Sequence, residues 1–286
     1  MEKIYLMKKL GDRPDGVKLR NLDSMHYIMP LVFPNRCDNE AFMTMDISLE
    51  NIEKFIEEHN KDKSAEDKYT LFGIIIAAMI KTICLRPHLN RFIVNKNFYE
   101  RDHISAAFIV KKSLSDDSSE TMARIVGGKD DTIDTISKQV NLQIDKCRKE
   151  DDETTDAMNV IQKLPLKGLI GFLARWADRH GLMPKSVIAT DPFQCSVVLT
   201  NLGSIGLNVG YHHLMNWGTN SIFCVVGKKT YKPVYNKDGS YEMKKVLPVS
   251  FTVDERISDG YYFGKSLRLF KKICENPELL IDKFEK

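Results

Sequence analysis

The spacing of apolar residues predicts alternating helices and strands along most of the chain. Nearly every position of Leu71–Leu85 is apolar, so this helix should be buried on all sides, with Thr70 as its N-cap and Pro87 just beyond its end. Apolar residues also recur at helical spacing over 49–56, where Ser48 is a plausible N-cap. The first half of the chain is therefore predicted to be rich in helices.

Short apolar or alternating runs predict strands, most of them in the second half. They are Phe42–Ile47, a hairpin over 91–101, 104–110, Cys195–Thr200, Ser221–Gly227, Tyr231–Tyr235 and Tyr241–Val253. Further helices are predicted over 133–147, in pieces over 154–190, and over Tyr261–Glu275, whereas 1–40 and 113–120 read as irregular, polar segments. This order favours one α/β (α+β) domain, residues 1–286, with helices covering a mixed sheet.

Composition narrows the function classes. The 286 residues carry 42 basic and 39 acidic side chains, and this balance argues against a nucleic-acid or anionic-membrane partner. The six cysteines are scattered without a C-x-x-C pair, which is typical of reduced thiols in a cytoplasmic protein. The longest apolar runs are shorter than the ~20 residues that a membrane-spanning helix needs. The sequence thus predicts a cytoplasmic globular protein.

Two motifs in the last third of the chain carry the chemical signal. The first is VVLTNLGSIG, residues 197–206, followed by NWGTNSIFCVVG, residues 216–227. The second is TVDERISDG, residues 252–260, between a strand-like run and a helix. In order and spacing they resemble the I-S-N-L-G-x-x-G and D-H-R-x-x-D-G motifs of the acyltransferase catalytic domain of 2-oxo acid dehydrogenase complexes. The second motif also resembles the H-x-x-x-D-G of chloramphenicol acetyltransferase.

This resemblance implies a chloramphenicol acetyltransferase-like fold and an acyl transfer from a coenzyme A thioester to a small-molecule acceptor. It also implies a homotrimer whose active site lies between neighbouring subunits. No lipoyl or subunit-binding domain is recognisable before the catalytic region, so none is expected on this chain. The acyl group and the acceptor are not named by any motif.

The resemblance also assigns three site residues. In the family a histidine takes the proton from the acceptor, and Glu255 stands at that position. An ordinary glutamate has a pKa about two units below imidazole, so it is a weaker base unless burial raises its pKa. Thr200 matches the hydroxyl that stabilises the oxyanion. Asp259 matches an aspartate held by an arginine, for which Arg13 and Arg20 are candidates.

His212 and His213 lie between the two motifs, so one of them, with His213 as the preferred candidate, could be a relocated base. Adjacent side chains on an extended segment point to opposite sides, so at most one should reach a shared site. A surface or core role stays open for both. The other histidines are scattered, and no metal site is expected. Lys228 and Lys229 are either contacts for coenzyme A phosphates or a solvated charge pair.

Two alternatives to the leading function remain. A chain with glutamate at the base position could be catalytically inactive and use the trimer to bind a coenzyme A-like ligand or a protein. A weaker possibility is acyl transfer to an amine acceptor, for which the demand on the base differs.

Overall fold

The computed structural model describes residues 9–112, 120–149 and 166–285. Residues 113–119 of the predicted polar loop at 113–120 lie outside the described residues, as does the start, 154–165, of the predicted helical segment. The elements of the first half are β1 (Gly16–Lys18), α1 (Ser24–Val32), β2 (Glu40–Ser48), α2 (Glu50–His59), α3 (Leu71–Leu85), β3 (Arg91–Val94), β4 (Asn97–Arg101), β5 (Ile104–Lys111), β6 (Glu120–Gly127) and α4 (Ile133–Lys149).

The second half begins with two helices and ends with one. Its elements are α5 (Lys167–Arg179), α6 (Lys185–Thr190), β7 (Val197–Asn201), β8 (Ile222–Val226), β9 (Thr230–Tyr235), β10 (Tyr241–Asp254) and α7 (Gly260–Glu275). None of the helices in the described ranges is long and apolar enough to cross a membrane.

The main sheet is mixed, as predicted. Its strand order is β2-β10-β8-β7-β5-β6, with β9 paired to β10, while β1, β4 and β3 form a smaller sheet. β7 runs parallel to both β5 and β8, and the other pairs in the main sheet are antiparallel. Because β8 lies between β7 and β10, the two sequence motifs are brought onto neighbouring parts of one sheet.

The two faces of the main sheet are covered differently. On the helical face, α3, α4 and α7 pack over alternate strand residues such as Val249, Phe251 and Val253. The opposite face, called here the loop face, carries Val198, Thr200, Phe223, Val225, Ser250 and Thr252. It is covered by the irregular segments 33–40 and 207–218 instead of by helices.

α3 matches its prediction in full. Twelve of its residues are buried, and the Thr70 side chain accepts a hydrogen bond from the Gly73 amide at 3.0 Å. An apolar helix of this kind forms the centre of the core because no side of it has to face water. The six cysteines form no disulfides with one another, and all except Cys37 are buried.

Three local predictions were wrong. Segment 1–40 contains β1 and α1; α1 forms around Pro30 because Asp23 caps its N-terminus. β6 was not predicted, because its buried side consists only of Thr121, Ala123 and Ile125. Ser48 does not cap α2; it ends β2, and Leu49 is the N-cap.

Candidate functional site

A buried ion pair shapes the turn that follows β10. The Asp254 carboxylate accepts hydrogen bonds from Nε and Nη2 of Arg256, each at 2.8 Å, and both side chains are almost fully buried, at 0% and 2% exposure. Nη1 of Arg256 donates to the carbonyl oxygens of Phe33 and Pro34 at 2.9 and 3.2 Å. The turn is thereby fixed to the segment that follows α1.

Glu255 lies between these two residues and points outward. Its amide donates to the Asn39 carbonyl at 3.0 Å, while its side chain is exposed. Its carboxylate makes no hydrogen bond or ion pair within residues 9–112, 120–149 and 166–285. The local fold therefore presents, at the position predicted for the base, a carboxylate that has no partner among the described residues.

Asp259 has a different role from the one predicted. Its Oδ1 accepts from the Tyr262 amide at 2.8 Å, so it caps α7, and its side chain is exposed. Neither proposed arginine reaches it: Arg13 pairs with Asp15 and Asp178, and Arg20 pairs with Asp12. The expectation that Arg13 or Arg20 pairs with Asp259 is wrong. The buried aspartate–arginine ion pair of this turn is formed by Asp254 and Arg256 instead.

Thr200 lies near the end of β7 and is 9% exposed. It shares a row across the loop face with Val225 of β8 and Ser250 of β10. Within the described part of the chain its hydroxyl has no hydrogen-bond partner. A neutral donor at the edge of a buried face, free of other bonds, is suited to bind a developing negative charge.

The turn after Thr200 leaves space for only one residue type at its first glycine, Gly203. A Cβ on Gly203 would lie 2.5 Å from the carbonyl oxygen of Gly227, which ends the neighbouring β8 region. Asn201 Oδ1 accepts from the Ser204 amide at 3.2 Å and closes the turn. The N-L-G part of the motif is thus explained by close packing of two backbones.

The two predicted reaction partners are far apart within one chain. Ser250 is level with Thr200 two strands away, and Glu255 follows Ser250 by five residues along β10. At about 3.3 Å per residue and about 4.8 Å per strand, their Cα atoms are separated by roughly 19 Å. Thr200 and Glu255 therefore form no common site in a single subunit.

The two histidines lie on the loop face, nearer to Thr200. The His212 ring stacks on Phe223, with centroids 4.3 Å apart and planes inclined by 5°, and it is half-buried. The His213 ring is exposed, and its Nδ1 donates to the Leu214 carbonyl at 3.1 Å. Their centroids are only 4.9 Å apart, so the predicted opposite orientation is wrong; the segment is not a strand.

Other candidate groups are occupied or inert. Lys229 pairs with Glu53 at 2.8 Å, and this contact, with Lys245, holds the pKa of that carboxyl below its usual value, whereas Lys228 is exposed. Burial raises the pKa of the Cys195 thiol, under the loop face, to about 11, so it is not a ready thiolate. No group of metal-ligating side chains occurs among the residues that the structure describes.

Sequence reasoning missed the residues that assemble the loop face. Arg36 donates to the carbonyls of Met215 and Gly218 at 3.1 and 2.8 Å, and Glu40 accepts from the Leu214 amide. The Asp254–Arg256 ion pair could have been found from the sequence, because the opposite charges on either side of Glu255 suggest it. No feature of the sequence indicates the contacts that segment 33–40 makes.

Comparison with known proteins supports the predicted resemblance. Residues 182–281 match the family model of the 2-oxoacid dehydrogenases acyltransferase catalytic domain. Both motifs and both candidate residues, Thr200 and Glu255, fall within this match. Together with the mixed sheet and its helical covering, the similar solved structures show a chloramphenicol acetyltransferase-like fold, and residues 182–281 resemble the acyltransferase catalytic domain.

Three solved structures illustrate this similarity of fold. A probable dihydrolipoamide acetyltransferase of Listeria monocytogenes 4b F2365 has a TM-score of 0.59 and 15% identity over 91% of this chain and 94% of its own. The dihydrolipoamide acetyltransferase of Azotobacter vinelandii has a TM-score of 0.60 and 13% identity, over 92% and 94%. A chloramphenicol acetyltransferase has a TM-score of 0.57 and 14% identity, over 95% and 100%. No curated protein sequence matches this chain.

Proposed function

We propose that the protein transfers an acyl group from a coenzyme A thioester to a small-molecule acceptor, at a site formed between subunits. The observation that supports this most directly is that the matched residues, 182–281, include both Thr200 and Glu255 together with the turns that present them. Proteins of similar fold act on acceptors as different as dihydrolipoamide and chloramphenicol, so the fold alone does not select the acceptor.

In this proposal Thr200 stabilises the oxyanion. Its hydroxyl is free, lies on the loop face and is held on a central strand, so it requires no rearrangement to meet a thioester carbonyl. Donors of this kind contribute about 2.7–4 kcal/mol to the transition state.

Glu255 reaches the same site from a neighbouring subunit. The separation of roughly 19 Å within one chain follows from the sheet register, so only a second copy can bring the carboxylate close to Thr200. The A. vinelandii structure was determined to define the catalytic roles of a serine, a histidine and an asparagine, the last two being four residues apart. Glu255 and Asp259 have the same spacing, which supports placing Glu255 at the position of that histidine.

Exposed apolar residues at both ends of the sheet support the assembly. α1 contacts the Glu255 turn and leaves Leu31 and Val32 52% and 59% exposed. At the other end, in the turn after β7, Ile205 and Leu207 are each 52% exposed. Two different patches on opposite ends are what a head-to-tail ring requires, and a closed ring of three is the proposed homotrimer.

The decisive experiment measures coenzyme A released from acetyl-CoA in the presence of defined alcohol, thiol and amine acceptors. Chromatographic detection is needed because thiol acceptors react with thiol reagents. We expect turnover by the wild type, a loss of about 10²–10³-fold in kcat for Thr200→Val, and near-normal activity for the matched control Thr200→Ser.

Position 255 separates the active from the inactive alternative. A wild type that binds acetyl-CoA but shows no turnover, combined with turnover by Glu255→His, would favour a catalytically inactive binding protein. Wild-type activity that falls in Glu255→Gln would place the carboxylate in the working site. Native mass spectrometry tests the trimer, which Leu31→Asp should dissociate; a monomeric wild type would contradict the inter-subunit site.

A further inference from the structure

We propose that His212 is the base that removes the proton from the acyl acceptor, acting with Thr200 of the same chain. This inference rests on the proposed acyl transfer and reassigns its proton acceptor from position 255 to position 212. A carboxylate is ordinarily a weaker base than an imidazole by about two pKa units, so an imidazole on the same face is the stronger base.

The sheet register places Phe223, the residue on which the His212 ring stacks, diagonally beside Thr200. The ring of His212 stacks on Phe223, and Phe223 is paired with Val198, two residues before Thr200 on the same face. Diagonal neighbours on adjacent strands have Cα atoms about 7–8 Å apart, so Phe223, on which the imidazole stacks, is about that far from Thr200. Glu255 of the same chain is more than twice as far away.

The segment that carries His212 is fixed on both sides. Ser250 Oγ donates to the Gly210 carbonyl, and the Leu214 amide donates to the Glu40 carboxylate. The ring of Tyr211 contacts that of Phe42 of β2, with centroids 5.1 Å apart in an edge-to-face arrangement. A base must be held in place to act efficiently, and these contacts hold the backbone on either side of His212.

The tautomer of His212 is suited to accept a proton. Its Nδ1 lies 3.1 Å from the carbonyl oxygen of His213, and a carbonyl oxygen can only accept, so Nδ1 carries the hydrogen. In the neutral ring Nε2 then has a free lone pair. His213 has the same tautomer but is exposed and does not stack on the sheet, which makes it the natural control.

The reaction balances with these groups alone. The acceptor hydroxyl or thiol attacks the thioester carbonyl carbon while its proton passes to Nε2 of His212. The carbonyl electron pair moves onto oxygen, where the Thr200 hydroxyl stabilises it. As the pair returns, the carbon–sulfur bond breaks, and the imidazolium protonates the departing coenzyme A sulfur. In the proposed trimer, the Glu255 carboxylate of a neighbouring subunit would favour the imidazolium electrostatically.

The test compares His212→Gln, His212→Gly and His213→Gln with the wild type in the acetyl-CoA assay. We expect kcat for His212→Gln to fall about 10²–10⁴-fold, His213→Gln to keep most of its activity, and added imidazole to restore part of the activity of His212→Gly. Thermal melting of each variant checks that it is folded. Wild-type activity with an unaffected His212→Gln variant, or a folded His212→Gly variant that imidazole does not rescue, would overturn the assignment while leaving acyl transfer in place.

A second measurement does not depend on turnover. Diethyl pyrocarbonate should carbethoxylate His212, as read by peptide mass spectrometry, and acetyl-CoA without an acceptor should slow this reaction. Equal modification of His212 with and without saturating acetyl-CoA would overturn the proposal. Protection of His212 in a wild type that releases no coenzyme A with any acceptor would instead refute acyl transfer, and the base role with it.

Discussion

Removing one partner of the buried Asp254–Arg256 pair should strongly destabilise the protein. Asp254→Asn keeps the shape of the side chain but removes its charge, leaving the Arg256 guanidinium, 2% exposed, without a counter-ion. Breaking such a buried pair typically costs 3–5 kcal/mol, because an uncompensated charge remains out of water. The two 2.8 Å contacts to the carboxylate place this pair at the strong end of that range.

The same cost should largely disappear when both charges are removed. In Asp254→Asn/Arg256→Met the close charge pair is removed as a unit, and the remaining losses are the bonds to the carbonyls of Phe33 and Pro34 and the weaker contact of Arg36 Nε with the Asp254 carboxylate, at 4.0 Å. We expect the double variant to cost about 1–3 kcal/mol, well below the sum of the single changes. Urea unfolding of the four proteins, followed by circular dichroism, gives the coupling energy directly.

Two results would refute this reasoning. If Asp254→Asn cost less than about 1 kcal/mol, or if the single effects simply added, the pair would not be a coupled, buried charge pair. The matched control is Asp259, an exposed aspartate in the same motif: Asp259→Asn should be nearly neutral because asparagine also caps helices, and Asp259→Ala should cost about 1 kcal/mol.

The remaining predictions concern pH and backbone shape. Burial, with the nearby Arg91, lowers the pKa of His88 to about 4, below its unfolded value of 6.5; the unfolded chain therefore binds the extra proton first, and the stability present above pH 6.5 is lost as the pH falls toward 4. Since the ring is partly exposed, we expect this loss to be only about 1–2 kcal/mol, and His88→Phe should flatten the pH dependence of urea unfolding over this interval. Gly218→Ala should destabilise by more than about 3 kcal/mol in the same assay, because the backbone has φ of 75° and a Cβ would lie 2.3 Å from the Phe193 carbonyl oxygen.

Each of these has a clear control. Gly239 also has a positive φ, 88°, but a Cβ there meets nothing within 4 Å, so Gly239→Ala should cost only the backbone term of about 1–2 kcal/mol. Equal effects at the two glycines would contradict the clash argument. For His88, an unchanged pH slope in the phenylalanine variant would show that another group titrates in this interval.

Much of the local structure could be predicted from the residues themselves. The Thr70 cap and the buried α3 follow from side chains within one or two turns of each other, and the strands of the second half follow from short apolar runs. The errors arose where a distant contact decides. Ser48 reads as a cap, but it continues β2 because that strand pairs with β10 up to this residue.

The candidate site could also be predicted only in part from the sequence. The motifs identified Thr200, Glu255 and Asp259, since each turn is built by neighbours along the chain. The motifs alone do not show which aspartate forms an ion pair with an arginine. Asp254 and Asp259 are both close to an arginine in sequence, and only burial distinguishes the paired Asp254 from the exposed Asp259. For the histidines, sequence identified the segment but chose His213, whereas stacking on the sheet distinguishes His212.

The order of residues by itself determined the resemblance to an acyltransferase catalytic domain, the turns at 200–206 and 254–260, and the absence of a histidine at position 255, because each is a local property of a short motif. Only the tertiary structure decided which groups meet. Because β10 runs antiparallel to β8 and β7 runs parallel to it, Thr200 and Glu255 lie at opposite ends of the sheet, and the His212 ring stacks on Phe223 of the strand between them. Strand order joins residues that are distant along the chain, so it follows from packing of the whole sheet and is not encoded in any single segment.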